Sequence, residues 1–344
     1  MTKKLKKIKI KNASGGLKNA QIRGKILPLR SSYYTILDFP LGGDAPKDFI
    51  NVYEYGIGKR ANSDTWNNYL AKVGHKWYPQ ESIIEHLLNR IGEVIGLRMA
   101  ESQLRLAHGQ IRFLSKYFLE KGQSLIHGAQ IYSTYLNEAN NDFVHEIEAQ
   151  NMTRELLTFQ LTNKAIKSVF PNQYDEIMQA FVNLLLFDAI VGNNDRHFYN
   201  WAVITSIDKK HQPVFSPIYD SARGLFWNKS EATIEERFFE GKGKKERIND
   251  AALNKYIRSS KPKTGWNEWK GKKENHLDLI NLIYKHYPEH KKTCDELLKN
   301  VHLSNIQTLI KQEFKLFFTP KRYLLIEACI ERRFKLLQSL CEIS

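Results

Sequence analysis

Cysteine is scarce: the three present, Cys294, Cys329 and Cys341, all lie near the C-terminal end. None stands in a Cys-x-x-Cys or His-paired spacing, so neither a disulfide framework nor a zinc site is expected. Long apolar runs are missing too; no stretch reaches the roughly 18 residues that a membrane-spanning helix needs. The basic opening "MTKKLKKIKIKN" lacks the apolar core and small-residue cleavage site of a secretory signal. A cytoplasmic protein without membrane contact is the expectation. No Pro-rich or Gly/Ser-rich linker and no fixed-period repeat divides the 344 residues. Acid is absent from residues 1–30, which hold ten Lys/Arg, and the whole chain carries a formal charge of +15. Such a surface attracts nucleic acid, a phosphate-bearing ligand or an acidic protein, unless it is merely a solvated tail beside an edge strand.

What is present falls into two textures. Residues 1 to about 80 are short apolar pieces broken by "SGG" (14–16), "PLGGDAPKD" (40–48) and "GIGKRANSD" (56–64), which predicts a small antiparallel sheet. "ESIIEHLLNRIGEVIGL" then sets Ile84, Leu87, Leu88, Ile91 and Ile95 on one helical face, with Gly96 as its stop. "QIRFLSKYFLE" reads as a strand, and from about residue 140 the pattern is mostly helical. "WAVITSIDKKHQPVFSPIYD" is the exception, two alternating runs around a turn, and predicts a hairpin. The fold class is α+β: a strand-rich N-terminal lobe (1–120) and a larger helical C-terminal lobe (121–344), with a cleft between them.

The chemistry concentrates behind the most apolar helix, in "VGNNDRHFYNW". Asp195 and Asn200 have four residues between them, and Asp220 follows at the far end of the predicted hairpin. Phosphoryl transfer of the kinase type asks for this set: hard oxygens to hold Mg²⁺ against phosphates, and a carboxylate to face the attacking hydroxyl. Asn200 and Asp220 would hold metal and Asp195 would face the hydroxyl. The competing reading has Asn193 and Asn194 capping the helix after Gly192 while Asp195 and Arg196 form a surface pair.

"FDAIVGNNDRHFYNW" followed by "FSPIYDSARGLF" resembles the signature of HipA-like serine/threonine kinases, whose catalytic motif runs L-I-G-N-x-D-x-H-x-K-N and whose metal motif runs A-P-x-Y-D. Gly192, Asn193, Asp195, His197, Asn200, Pro217, Tyr219 and Asp220 carry the match; Tyr199 stands where the family has lysine. The resemblance implies a bilobal kinase-like fold using ATP and Mg²⁺. It makes Asp195 the catalytic base and Asn200 and Asp220 the metal ligands, with Asn193 and His197 beside the bound nucleotide and His197 chiefly orienting the loop. It also implies a toxin–antitoxin or secreted-effector context, with an antitoxin as a candidate partner.

A kinase-like site also needs a strand lysine for the phosphates, held by a helix glutamate. "NYLAKVG" offers Lys72, ahead of Lys76, and the next helix offers Glu85, ahead of Glu81. Of the three glycine-bearing turns, "YGIGKRANSDTW" immediately precedes the Lys72 strand, so Gly56 and Gly58 are the expected phosphate-covering glycines. "NASGGLKN" is the more distant rival, and the family's loop autophosphorylation makes Ser63 a candidate regulatory site. Phe113 to Leu119 is the expected hinge for adenine. After Asp220, a long basic stretch holds Trp227, Trp266 and Trp269; it suits an acidic protein substrate, or nucleic acid if those rings are free to stack. The leading expectation is a protein kinase acting on serine or threonine. A pseudokinase-like nucleotide-binding module, a small-molecule phosphotransferase and a nucleic-acid binder are the alternatives.

Overall fold

The computed structural model describes residues 4–7, 25–38, 47–138, 143–208, 211–269 and 273–342. The "SGG" turn, the rival "NASGGLKN" and most of "PLGGDAPKD" lie outside these. Five strands form the first sheet: β1 (Tyr34–Leu37), β2 (Lys47–Val52), β3 (Asn67–Val73), β4 (Ser102–Ala107) and β5 (Gln110–Lys116), in the order β1-β2-β3-β5-β4. All neighbours are antiparallel, as expected of strands joined by local turns.

Alternation along β3 decides which way each side chain faces. Tyr69 and Ala71 are buried in a small core with Tyr34, Ile50, Val52 and Leu114. Leu70 and Lys72 therefore face the other side, where the helix Glu81–Val94 packs. That helix buries Ile83, Ile84, Leu87, Leu88 and Ile91 completely, and its face is continuous with the core of the C-terminal part. The helix is thus clamped between the sheet and the helical body. It ends as the sequence suggests, with Gly96 at φ +83°.

Residues 117–122 leave the first sheet and enter a second one, formed by β6 (Gln123–His127), β7 (Ala202–Ser206) and β8 (Val214–Phe215). The β7/β8 pair, with Val203 opposite Phe215, is the predicted hairpin. Below it runs the helix Tyr174–Val191, whose last turns from Leu184 to Val191 are entirely buried. The helix Pro320–Leu340 packs against it from the C-terminal end. No described helix is long and apolar enough to cross a membrane.

Candidate active site

Lys72, Glu85 and Asp220 meet although they come from a strand, a helix and a loop. Lys72 Nζ lies 2.8 Å from Glu85 Oε1 and 2.7 Å from Asp220 Oδ1. The Phe113 ring, on the strand position opposite Lys72, lies 5.7 Å from the ammonium. Glu85 occupies the buried face of its helix, one residue from Ile84. Burial pushes its carboxyl up to about 7 even against the attraction of Lys72. Burial works against the charge on Lys72, but Asp220 and Glu85 together more than offset it and hold the ammonium above the usual lysine range. For Asp220 burial works upward and Lys72 more than reverses it, to about 2.

Asp220 reaches this position through its backbone. Residues 98–100 pair with Ile218, through Ile218 N to Arg98 O at 2.8 Å and Ala100 N to Ile218 O at 2.9 Å. The segment entering Asp220 is thereby fixed to the chain leaving the Glu85 helix. Asp220 itself sits at φ +55°, a left-handed conformation that costs a non-glycine residue energy and persists only where neighbours enforce it.

Arg196 supplies that enforcement. Its guanidinium is buried and grips both oxygens of the fully buried Asp188, Nε to Oδ2 at 2.9 Å and Nη2 to Oδ1 at 3.1 Å. It also donates to Asn200 O at 2.8 Å, Tyr219 O at 2.6 Å and Ser221 Oγ at 2.6 Å. One side chain therefore ties the helix end, the loop at Asn200 and both neighbours of Asp220 together. The surface pairing of Asp195 with Arg196 does not occur.

The loop begins where Gly192 caps the helix at φ +69°. A Cβ there would come within 2.7 Å of the Arg333 guanidinium, which itself donates to Ala189 O at 3.0 Å. Asp195, partly exposed, has Arg223 Nε 3.2 Å from its Oδ2, and Arg223 in turn lies over the Trp227 ring. Asn200 Nδ2 donates to Asp195 O at 2.9 Å, which leaves Oδ1 as the atom available to a cation. Asn200 Oδ1 and the Asp220 carboxylate are hard oxygens of the type that could hold Mg²⁺, with phosphate oxygens and water completing its shell.

Other expected site residues are placed elsewhere. Asn193 is fully buried, with Nδ2 on Asp188 Oδ1 at 3.0 Å and Oδ1 accepting from Asp195 N at 3.3 Å, so it shapes the loop instead of facing the cleft. His197 accepts from Tyr199 N at 3.2 Å through Nδ1, an orienting contact within the loop. Gly56 and Gly58 are not brought to the cluster. They lie in the β2–β3 connection, beyond the Val52–Asn67 pair, whereas Lys72 is at the other end of β3 opposite Lys47. Five residues of extended strand, roughly 17 Å, intervene. Ser63 is in the same connection and equally remote. The strand ends nearest Lys72 are instead those of Leu37 and Lys47, which flank "PLGGDAPKD". Lys76 is exposed, and Glu81 accepts from His75 N at 2.7 Å.

Sequence reasoning missed Arg196 in its true role, Asp188 and Arg223. It also missed a polar knot in which Tyr219 OH donates to Tyr199 O at 3.0 Å and sits 3.1 Å from His127 Nδ1. The His145 ring stacks on Tyr199 at 4.6 Å. The tyrosine in place of the family's lysine thus serves as an aromatic packing element.

A five-stranded antiparallel sheet whose Lys72 pairs with a helix glutamate, set over a helical body with an Asp-x-x-x-x-Asn loop and a following Asp, defines a kinase-like fold. The family model "HipA-like C-terminal domain" matches residues 39–277, and the chain belongs to that family. Among solved structures, the chain is similar to the Helicobacter pylori proinflammatory kinase CtkA, with a TM-score of 0.69 and 15% identity. That alignment covers 93% of this chain and 99% of the other. The HipA of the Shewanella oneidensis MR-1 toxin–antitoxin system, solved with HipB and operator DNA, aligns at a TM-score of 0.43 and 12% identity over 96% of this chain and 72% of that one. Comparison with curated proteins finds no match.

Proposed function

We propose that the chain is an ATP- and Mg²⁺-dependent protein kinase that transfers the γ-phosphoryl group to a serine or threonine hydroxyl. The observation that carries this reading is the meeting of Lys72, Glu85 and Asp220 beside the Asp195/Asn200 loop. A structural ion pair has no need of the second carboxylate, or of the left-handed backbone that delivers it.

Glu85, buried on its helix face, aims the Lys72 ammonium. With nucleotide bound, Lys72 exchanges part of its contact with Asp220 for α- and β-phosphate oxygens. Mg²⁺, held by Asn200 and Asp220, would offset the charge on the β- and γ-phosphates. Asp195 accepts the acceptor's proton as its oxygen bonds to the γ-phosphorus and the bond to the β-bridging oxygen breaks, releasing ADP. Arg223 must give way for the hydroxyl to reach Asp195. Residues 117–122 would receive the adenine between the two sheets.

The reading is tested by nucleotide titration with and without Mg²⁺ on wild type, Lys72→Met and Asp220→Asn. ATP affinity is expected to fall in Lys72→Met at any Mg²⁺ concentration, whereas Asp220→Asn should abolish only the Mg²⁺-dependent increment. Unchanged binding in both variants would refute it.

A further inference from the structure

The helix Asp250–Ser259 turns one face to solvent, and Asn254, Lys255 and Arg258 on that face line an open groove with Lys261 and Lys273. Four cations and no acid line it. Lys255, Arg258 and Lys273 are exposed and make no ion pair among the described residues. Like charges one helical turn apart repel, so this face is under mild strain until an anion arrives.

The groove is joined to the catalytic loop. Ser260, buried at its edge, donates from Oγ to Asn194 Oδ1 at 2.7 Å, and Lys261 N donates to the same oxygen at 2.9 Å. Asn194 immediately precedes Asp195, so the cations stand at a fixed offset from the carboxylate that faces the acceptor.

The same stretch argues against single-stranded nucleic acid, which needs exposed rings for stacking. Trp266 is only 5% exposed and stacks on Phe159 at 6.2 Å, while Trp269 is 9% exposed with the Arg154 guanidinium 4.8 Å from its ring. Trp227 is taken up by Tyr78 and Arg223. The charges remain and the stacking platforms do not.

We infer that this groove docks an acidic stretch of the protein acceptor and thereby presents a neighbouring hydroxyl to Asp195. The inference rests on the kinase reading for its purpose, but docking can be measured without chemistry. The probes are a fluorescent glutamate-rich peptide with one serine, its glutamine counterpart and single-stranded oligouridylate. Each is titrated by anisotropy, without ATP, against the full chain and a triple variant, Lys255→Ser, Arg258→Ser and Lys273→Ser. The glutamate peptide should bind about tenfold more tightly than the glutamine peptide, as expected of three screened surface pairs acting together. The triple variant should erase that difference and leave ATP affinity unchanged. Equal binding of the two peptides to wild type, or a preference that survives in the variant, would overturn the inference. So would a variant that loses oligouridylate binding while keeping its peptide preference. A failure of the kinase reading alone would show as absent phosphoryl transfer with the peptide preference intact.

Discussion

Arg196 is where stability and chemistry are joined most tightly, and replacing it tests both. Arg196→Met keeps much of the side-chain volume but strands the buried Asp188 carboxylate, whose partners reduce to Asn193 Nδ2. It also removes donors from Asn200 O, Tyr219 O and Ser221 Oγ. Breaking a buried ion pair from one side costs about 3–5 kcal/mol, because the remaining charge stays desolvated. Removing both charges in Asp188→Leu/Arg196→Met deletes that unpaired charge, so the pair should couple by roughly 2–3 kcal/mol in a double-mutant cycle. The assay is urea unfolding of wild type, both single variants and the double variant, compared at constant m-value. Because Arg196 holds both neighbours of Asp220, the Mg²⁺-dependent part of nucleotide binding should fall in Arg196→Met even where the protein remains folded. A cost below about 1 kcal/mol, or additive single effects, would show that Arg196 and Asp188 are not coupled in this way.

Two further outcomes follow from the same geometry. Burial raises the Glu85 carboxyl to about 7, so between the ordinary value of 4.5 and 7 the folded chain binds a proton that the unfolded chain does not. The stability difference between wild type and Glu85→Gln should accordingly decline as pH rises from about 5 to 7 and level off above it, in denaturation measured across that range. Gly192→Ala combines a positive φ with a Cβ driven against Arg333, and should lower the denaturation midpoint by the equivalent of about 1–3 kcal/mol.

The sequence made some of this legible because local rules suffice for it. Alternation along β3 and the 3.6-residue period of the next helix put Lys72 and Glu85 on facing surfaces, and the hairpin after Asn200 returns the chain to Asp220. Nearness along the chain points to the turn at Gly56 and Gly58, but nearness in space does not follow from it. The turn at Gly56 and Gly58 leads into β3, but Lys72 is near the strand's exit, one strand length away. Asn193 and Arg196 look like polar loop residues until Asp188, on the last helical turn, is seen to face inward and gather both. That depends on which side of the helix the C-terminal helices cover, which no local period reports. Whether the tryptophans of the basic stretch are free to stack is not a local property; tertiary packing against Phe159 and Arg154 withdraws Trp266 and Trp269.

Single-turnover transfer from γ-labelled ATP with Mg²⁺, comparing wild type with Asp195→Asn, decides whether the loop is catalytic. Label should appear on the chain itself or on an added serine-bearing acidic peptide. Asp195→Asn should retain ATP affinity and lose transfer by about 10²–10⁴-fold, the contribution of a positioned base. Equal transfer by wild type and Asp195→Asn would contradict the account, as would wild type that binds ATP and Mg²⁺ yet transfers to no hydroxyl.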